Sequence, residues 1–318
     1  MKPCDLRLAE DGMHALFAGY MEVAVDPSLV MVVASVQKSS ECAVNGNAHQ
    51  KLLTASMEPV YSRPVCSCVD HPQSLEAVLA AMDARAYLHR SGVSEEQLAR
   101  VALKNINNAA LAGGRPAQTL DQVLSSEMLS SPVRTSMIAA ASDAACTLIL
   151  TSEKKARELG VEPVLITGIG WCSEHGDFAR RSQGVSPDTT WAARQAYRMA
   201  GIRKPREEID LAEVSDWYAH REFIHCEALG LCQPGEAGSC LDSGDFEADG
   251  PIPVNVSGGL IGRGNPIIPS GLIRVAEVSR QIRGEANGRQ IDGVNIGLAH
   301  SWGGFSSPTA GVAVLGKL

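Results

Sequence analysis

What most constrains this chain is the repetition of short, continuous apolar runs separated by helical patterns. Leu29–Val36 reads LVMVVASV and Ala145–Thr151 reads ACTLILT, both rich in β-branched residues. Val161–Trp171, Asp210–Asp216, Ile252–Val256, Val294–His300 and Ala310–Gly316 repeat the theme. A run without polar alternation predicts a strand covered on both faces, and parallel βαβ units are the natural way to cover both. The expectation is an α/β fold with buried, mainly parallel sheets.

Between the first two strands, from about residue 39 to 140, the texture changes. Polar loops at Ser39–Gln50 lead to a helix near Ser74–Ser91 and an acid-started helix at Ser94–Ala102. This stretch reads as an insertion over the sheet. The division expected is a first half over 1–155, carrying the insertion, and a second half over 156–318. In the second half, Gly271–Arg283 places Leu272, Val275, Ala276, Ser279 and Ile282 on one helical face. Ser270 is the expected N-cap and Gly284 the expected stop.

Composition removes several classes of function. Lys plus Arg is 28 against 36 for Asp plus Glu, giving −8, and aromatics are only 4%. An acidic surface poor in stacking residues argues against nucleic acid as a partner. The nine cysteines are odd in number, which argues against a disulfide framework and for a reducing compartment. Cys66-Ser67-Cys68 has no second pair at zinc-ribbon spacing, so no metal site is read from it. No signal pattern opens the chain, and the longest apolar run falls far short of the roughly 20 residues of a membrane helix. A cytoplasmic protein without membrane insertion is expected.

Four polar or glycine-rich stretches sit where the expected strands end. They are Val214–Tyr218, Gly258-Gly259 with Gly262, Gly264-Asn265-Pro266, and His300–Gly304. In open α/β folds ligands bind outside the carboxyl ends of strands, and glycines there admit close backbone approach. Each stretch alone reads as a turn; together they point to a site.

The second half then carries motifs in order. Glu213–Cys232 reads EVSDWYAHREFIHCEALGLC, followed by Pro234-Gly235-Glu236-Ala237-Gly238. PVNVSGGLIGRGNP (Pro253–Pro266), EVSRQIRGEANGRQI (Glu277–Ile291) and GLAHSWGG (Gly297–Gly304) come next. This resembles the C-terminal half of a thiolase, of the branch related to sterol-carrier-protein thiolases and acetyl-CoA acetyltransferases. That branch carries E-V-H-D-C-F, L-G-L-C-x-x-G-E-G, P-V-N-x-S-G-G, G-H-P and H-N-x-G-G. Upstream, EQLARVALKNINN (Glu96–Asn108) and Ser142-Asp143-Ala144-Ala145 fit as well, so the resemblance covers nearly the whole chain. It implies two βαβαβ-type halves in a layered αβαβα core. It also implies a first half that lacks its first strands, because the match begins almost at Met1.

The same resemblance marks what has changed. The family's nucleophilic cysteine, in C-x-S/T-G-x-x-A-L, falls on Ala9, which cannot be acylated. Cys4 lies five residues away and would need a different backbone path. The histidine of H-D-C-F falls on Ser215, and that of G-H-P on Asn265, which can still donate to an oxyanion. His300 keeps the histidine of H-N-x-G-G, a general acid/base in relatives. Trp217 and Tyr218 replace smaller residues beside the pocket. The implied catalytic set is His300, Asn265 and Tyr218. Ser215, Asp216, Asn255, Gly258, Gly259, Gly303 and Gly304 are the implied substrate-binding set, with no metal and no covalent cofactor.

The resemblance implies a coenzyme A thioester as substrate or ligand, with Ser130–Arg134 meeting its phosphates. Two functions follow from it. One is an acyltransferase-family fold that makes or breaks a C–C bond beside the thioester carbonyl without an acyl-cysteine, as in cysteine-less thiolase-like aldolases. The other is a non-catalytic subunit with a degenerate active site. Its partners would be an intact thiolase paralogue or an OB-fold zinc-ribbon protein, with a homodimer as the alternative oligomer.

Overall fold

The computed structural model describes residues 11–40, 72–111, 113–305 and 307–317. Ala9, Cys4 and Cys66-Ser67-Cys68 lie outside the described residues. The first element, α1 (Gly12–Val25), is capped by Asp11, whose carboxylate accepts the His14 amide at 2.8 Å. Met13, Leu16, Phe17 and Val23 form its buried face. β1 (Val30–Lys38) follows and pairs antiparallel with β4 (Asp143–Thr151) over its whole length, Val30 opposite Thr151 and Lys38 opposite Asp143.

Among the described residues two long helices lie between these strands, α2 (Pro72–Ser91) and α3 (Glu95–Ala110), followed by a single turn of helix at Leu120–Leu124. α3 starts with a capping box in which Ser94 and Gln97 satisfy each other's backbone amides. A short hairpin, β2 (Met128–Ser130) with β3 (Val133–Arg134), leads into β4.

The second half builds a four-stranded sheet in the order β5-β8-β7-β6, with β5 at Leu165–Ser173, β6 at Leu211–Glu213, β7 at Ile296–Trp302 and β8 at Thr309–Gly316. Its helices include α4 (Pro187–Ala200), α5 (Ala219–Ala228), α6 (Gly259–Arg263) and α7 (Ser270–Arg283), with further short helices in the connections. α1 and α7 pack on each other; α1 covers β1, and α7 covers β7. They therefore form a helical layer between the two sheets. Met13, Leu16, Phe17, Leu272, Val275 and Val278 fill the core of that layer. α4 covers the far face of the larger sheet, where Gly168 and Gly170 let its backbone approach so closely that a Cβ would lie 2.1 and 2.0 Å from carbonyl oxygens.

Four sequence expectations are corrected by this arrangement. The sheets are not mainly parallel: β6 with β7 is the single parallel strand pair among the described residues, and β5, β7 and β1 pair antiparallel. Leu29–Val36 is a strand but not a buried one. Every second residue of β1 faces outward, Val32 at 65% and Val36 at 68% exposure, beside Ile149 of β4 at 69%. A run of β-branched residues sets the strand conformation without deciding what covers it. Ile252–Val256 forms no strand; Val254 makes one isolated bridge to Ala212. At α7, Pro269 takes the cap position, while the hydroxyl of Ser270 donates to the Ile267 carbonyl at 2.7 Å. Gly284 ends that helix in the left-handed region at φ 73°, as expected. Among the described residues no helix is long and apolar enough to cross a membrane.

Candidate active site

Parallel strands end on the same side, so the segments after β6 and β7 emerge together. Val214–Tyr218 leaves β6 and Gly303-Gly304 leaves β7. They interlock: at Gly304, φ is +86° and an added Cβ would lie 2.5 Å from the Trp217 ring, so only glycine fits. Trp217 stacks on Tyr218 with ring centroids 6.0 Å apart and planes 4° apart, and Tyr218 tilts against Phe305 at 5.4 Å.

A third segment ties in Asn265. Ile138 bridges to Tyr218, and Ala139 donates its amide to the Trp217 carbonyl at 2.9 Å. Three residues on, Ala141 bridges to Asn265. Tyr218 and Asn265 thus lie along one extended stretch, about 10 Å apart at strand rise. Asn265 is buried; its amide N–H donates to the Ala140 carbonyl at 2.6 Å and its side-chain oxygen accepts from the Ile267 amide at 2.8 Å. That contact orients the carboxamide and leaves Nδ2, a buried donor, without a protein partner. Ile267 itself has φ 57°, an uncommon conformation for a β-branched residue that costs about 1–3 kcal/mol. The same loop receives α1, whose Gly12 amide donates to the Ile268 carbonyl at 2.9 Å. Gly264 and Pro266 also border a cavity of about 200 Å³ that reaches Ser257, Glu213, Arg274 and Glu277.

His300 is fully buried. The Ser215 amide donates to its Nδ1 at 3.3 Å, and its Nε2 lies 3.1 Å from the Thr189 hydroxyl. Burial, helped by the nearby Arg274 charge, holds its pKa well below the ordinary 6.5, so the ring is neutral. His225 packs against it at 4.5 Å and is likewise kept neutral by burial and by His300. Tyr218 is buried too, and burial followed by Glu76 raises its phenol well above 10, so it keeps its proton.

The remaining expected residues are engaged by the scaffold. Asp216 accepts the Leu260 and Ile261 amides at 2.6 and 3.1 Å, and the Asn105 side chain at 2.8 Å. Asn255 accepts from the Val214 amide at 2.7 Å and donates to Glu222 at 2.7 Å. Gly258 lies against the Ala109 backbone and Gly259 against the Asp216 carboxylate. Ser215 keeps a buried hydroxyl without a partner. Gly303 donates its amide to Thr309 at 2.9 Å.

Around these residues runs a buried charge network that the sequence motifs did not announce. Lys104 pairs with Glu222 at 3.1 Å and donates to the Val254 carbonyl at 2.7 Å. Glu213 accepts the Ser257 amide and hydroxyl at 3.0 and 2.6 Å, yet burial and the neighbouring Glu277 push it up to about 7. Arg274 is the shared countercharge of Glu213 and Asp216. A second cluster sets Asp83 against His220 at 3.0 Å and Arg221 at 2.8 Å. Burial alone would raise Asp83, but Arg221 and the His220 hydrogen bond hold it below its usual range. The partners stand far apart in the sequence, Lys104 from Glu222 and Asp83 from Arg221, so no contiguous motif announced the pairing.

The family described as thiolase C-terminal domain-like matches residues 170–317. An acetyl-CoA acetyltransferase of Methanothermobacter thermautotrophicus is 34% identical over 307 residues, 94% of this chain and 76% of that protein. Sterol carrier protein 2 of Oryctolagus cuniculus is 31% identical over 229 residues, 69% of this chain and 41% of that protein. Among solved structures, the Ltp2-ChsH2(DUF35) aldolase superposes with a TM-score of 0.79, covering 96% of this chain and 78% of that one. Its sequence identity is 23%, so this likeness is one of fold.

Proposed function

This chain belongs to the thiolase family, and we propose that it acts on an acyl-CoA thioester, making or breaking a C–C bond beside the thioester carbonyl without an acyl-cysteine. The observation that carries the reading is Asn265, whose buried Nδ2 has no protein partner and sits on a strained loop. An oriented donor waiting in a buried site suits an oxygen that gains charge during reaction. Ala9 at the nucleophile position removes the acyl-enzyme route.

In the retro-aldol direction the β-hydroxyl of a β-hydroxyacyl-CoA gives up its proton. The Cα–Cβ bond breaks and its electron pair moves into the thioester enolate, whose oxygen Asn265 steadies. Protonation at Cα then releases the shortened acyl-CoA, and the Cβ fragment leaves as an aldehyde or ketone. His300, neutral, suits the proton acceptor; Tyr218, protonated, suits the donor. The names of two similar proteins, an acetyl-CoA acetyltransferase and an aldolase, support the substrate class and the bond concerned. The test is to incubate the purified chain, alone and with its genomic neighbours, with β-hydroxyacyl-CoA substrates and to assay carbonyl product. Turnover that survives intact in Asn265→Ala sinks this mechanism, as does no turnover across a broad panel.

A second reading, a non-catalytic subunit of a heteromer, is favoured by the outward apolar face of β1 and β4. The structural relative's name, which joins an aldolase to a DUF35 component, points the same way. Native mass spectrometry with a co-expressed thiolase paralogue or OB-fold zinc-ribbon protein tests it; an active homodimer that binds neither rejects it.

A further inference from the structure

We infer that Thr189, Ser186 and Asp188 form a buried relay that fixes the tautomer of His300, and that His225 completes the device by holding the carbonyl of Ser215, the residue whose N–H His300 accepts. The Ser215 N–H points at His300 Nδ1, so that nitrogen carries no proton, and a neutral ring must hold its proton on Nε2. Nε2–H then donates to the Thr189 hydroxyl at 3.1 Å. Thr189 is left to donate onward to Ser186 at 2.9 Å, and Ser186 donates to Asp188 Oδ1 at 2.6 Å. Each group donates once and the chain ends on a carboxylate, which also accepts the Thr189 amide at 2.8 Å. All members are buried.

Two independent features support the direction. Ser186 stands at the N-cap of α4, where a serine hydroxyl ordinarily binds a helix amide, yet it makes no side-chain cap bond. Its hydroxyl is committed to the relay instead. His225 shows the opposite tautomer: its Nδ1 lies 2.7 Å from the Ser215 carbonyl and must donate to it. The backbone of Ser215 is therefore held on both sides by ring nitrogens, its N–H by His300 and its C=O by His225. The relay holds the His300 proton on Nε2 and leaves Nδ1 as the unprotonated nitrogen, the one that accepts the Ser215 N–H.

These are positioning residues, and their catalytic consequence rests on the proposed role of His300. The tautomer does not, so it is measured first. Imidazole 15N spectra of the full chain at neutral pH should show His300 protonated at Nε2 and His225 at Nδ1. Thr189→Val should shift the His300 signals and speed exchange of its Nε2 proton at least tenfold, and Thr189→Ser should restore both. Asp188→Asn, which keeps the shape, should shift the same signals by a smaller amount. With β-hydroxyacyl-CoA, Thr189→Val should lower kcat about tenfold with KM little changed, again restored by Thr189→Ser. His300 protonated at Nδ1, or spectra unmoved by both variants, overturns the relay. The expected tautomers in a chain without turnover would uphold the relay and count against the proposed reaction alone.

Discussion

In the proposed mechanism Asn265 is the oxyanion donor. Replacing it with Ala removes the unpartnered donor and one hydrogen bond to Ile267, a bond worth about 1 kcal/mol. Asn265→Ala is expected to lower kcat for C–C cleavage by about 100-fold or more while the chain stays folded, read by steady-state kinetics beside thermal melting. Glu213 makes a prediction in pH. Its ordinary pKa is 4.5 and in the fold it is pushed up to about 7, so between those values the folded chain keeps a proton that the unfolded chain has lost. This group's contribution to stability therefore falls as pH rises through that window, by up to about 1.4 kcal/mol per unit. Urea midpoints of wild type and Glu213→Gln at pH 5 and pH 8 should diverge, the variant gaining relative to wild type at the higher pH; parallel midpoints would mean that Glu213 is charged in the fold. At this scale the identities of Asn265 and His300 were legible from the motifs. Their hydrogen-bond states were not, because Ser215 and Thr189 lie 85 and 111 positions from His300.

Among the elements, local signals performed well where local physics decides. The Ser94–Gln97 capping box and the apolar periodicity placed α3, and the Gly284 stop placed the end of α7. Ser94→Ala should cost about 1 kcal/mol by chemical unfolding. Connections between elements depend on glycines in a way the sequence shows only as turns. Gly304→Ala meets both the Trp217 ring and an unfavourable φ, so it should destabilise by about 2 kcal/mol or more. Gly288→Ala, which would meet nothing within 4 Å, should leave the unfolding midpoint near wild type. Equal effects would mean that the Gly304–Trp217 contact is not made in solution. The strand of Leu29–Val36 shows where element reading stops. β-branching foretold its backbone, and the burial of alternate residues came from α1 on one side only.

For the molecule as a whole, the α1–α7 layer between two sheets carries the packing. Leu16, wholly buried there, should lose about 2–5 kcal/mol on conversion to Ala. Val32→Thr with Ile149→Thr, on the outward face, should together change stability by less than about 1 kcal/mol in the isolated chain. A large loss from that pair would show the face to be covered in solution. The sequence by itself determined the alternation of strands and helices, the family and the residues that stand at its motifs. Those follow from local periodicity and from motifs contiguous along the chain. Only the tertiary structure decided that β1 shows one face to the outside, that a charge network is buried under the site, and which polar atoms are paired. Pairing joins groups from distant strands and helices. A donor such as Asn265 Nδ2 is set apart by the partner it lacks, and that lack is a property of the folded neighbourhood.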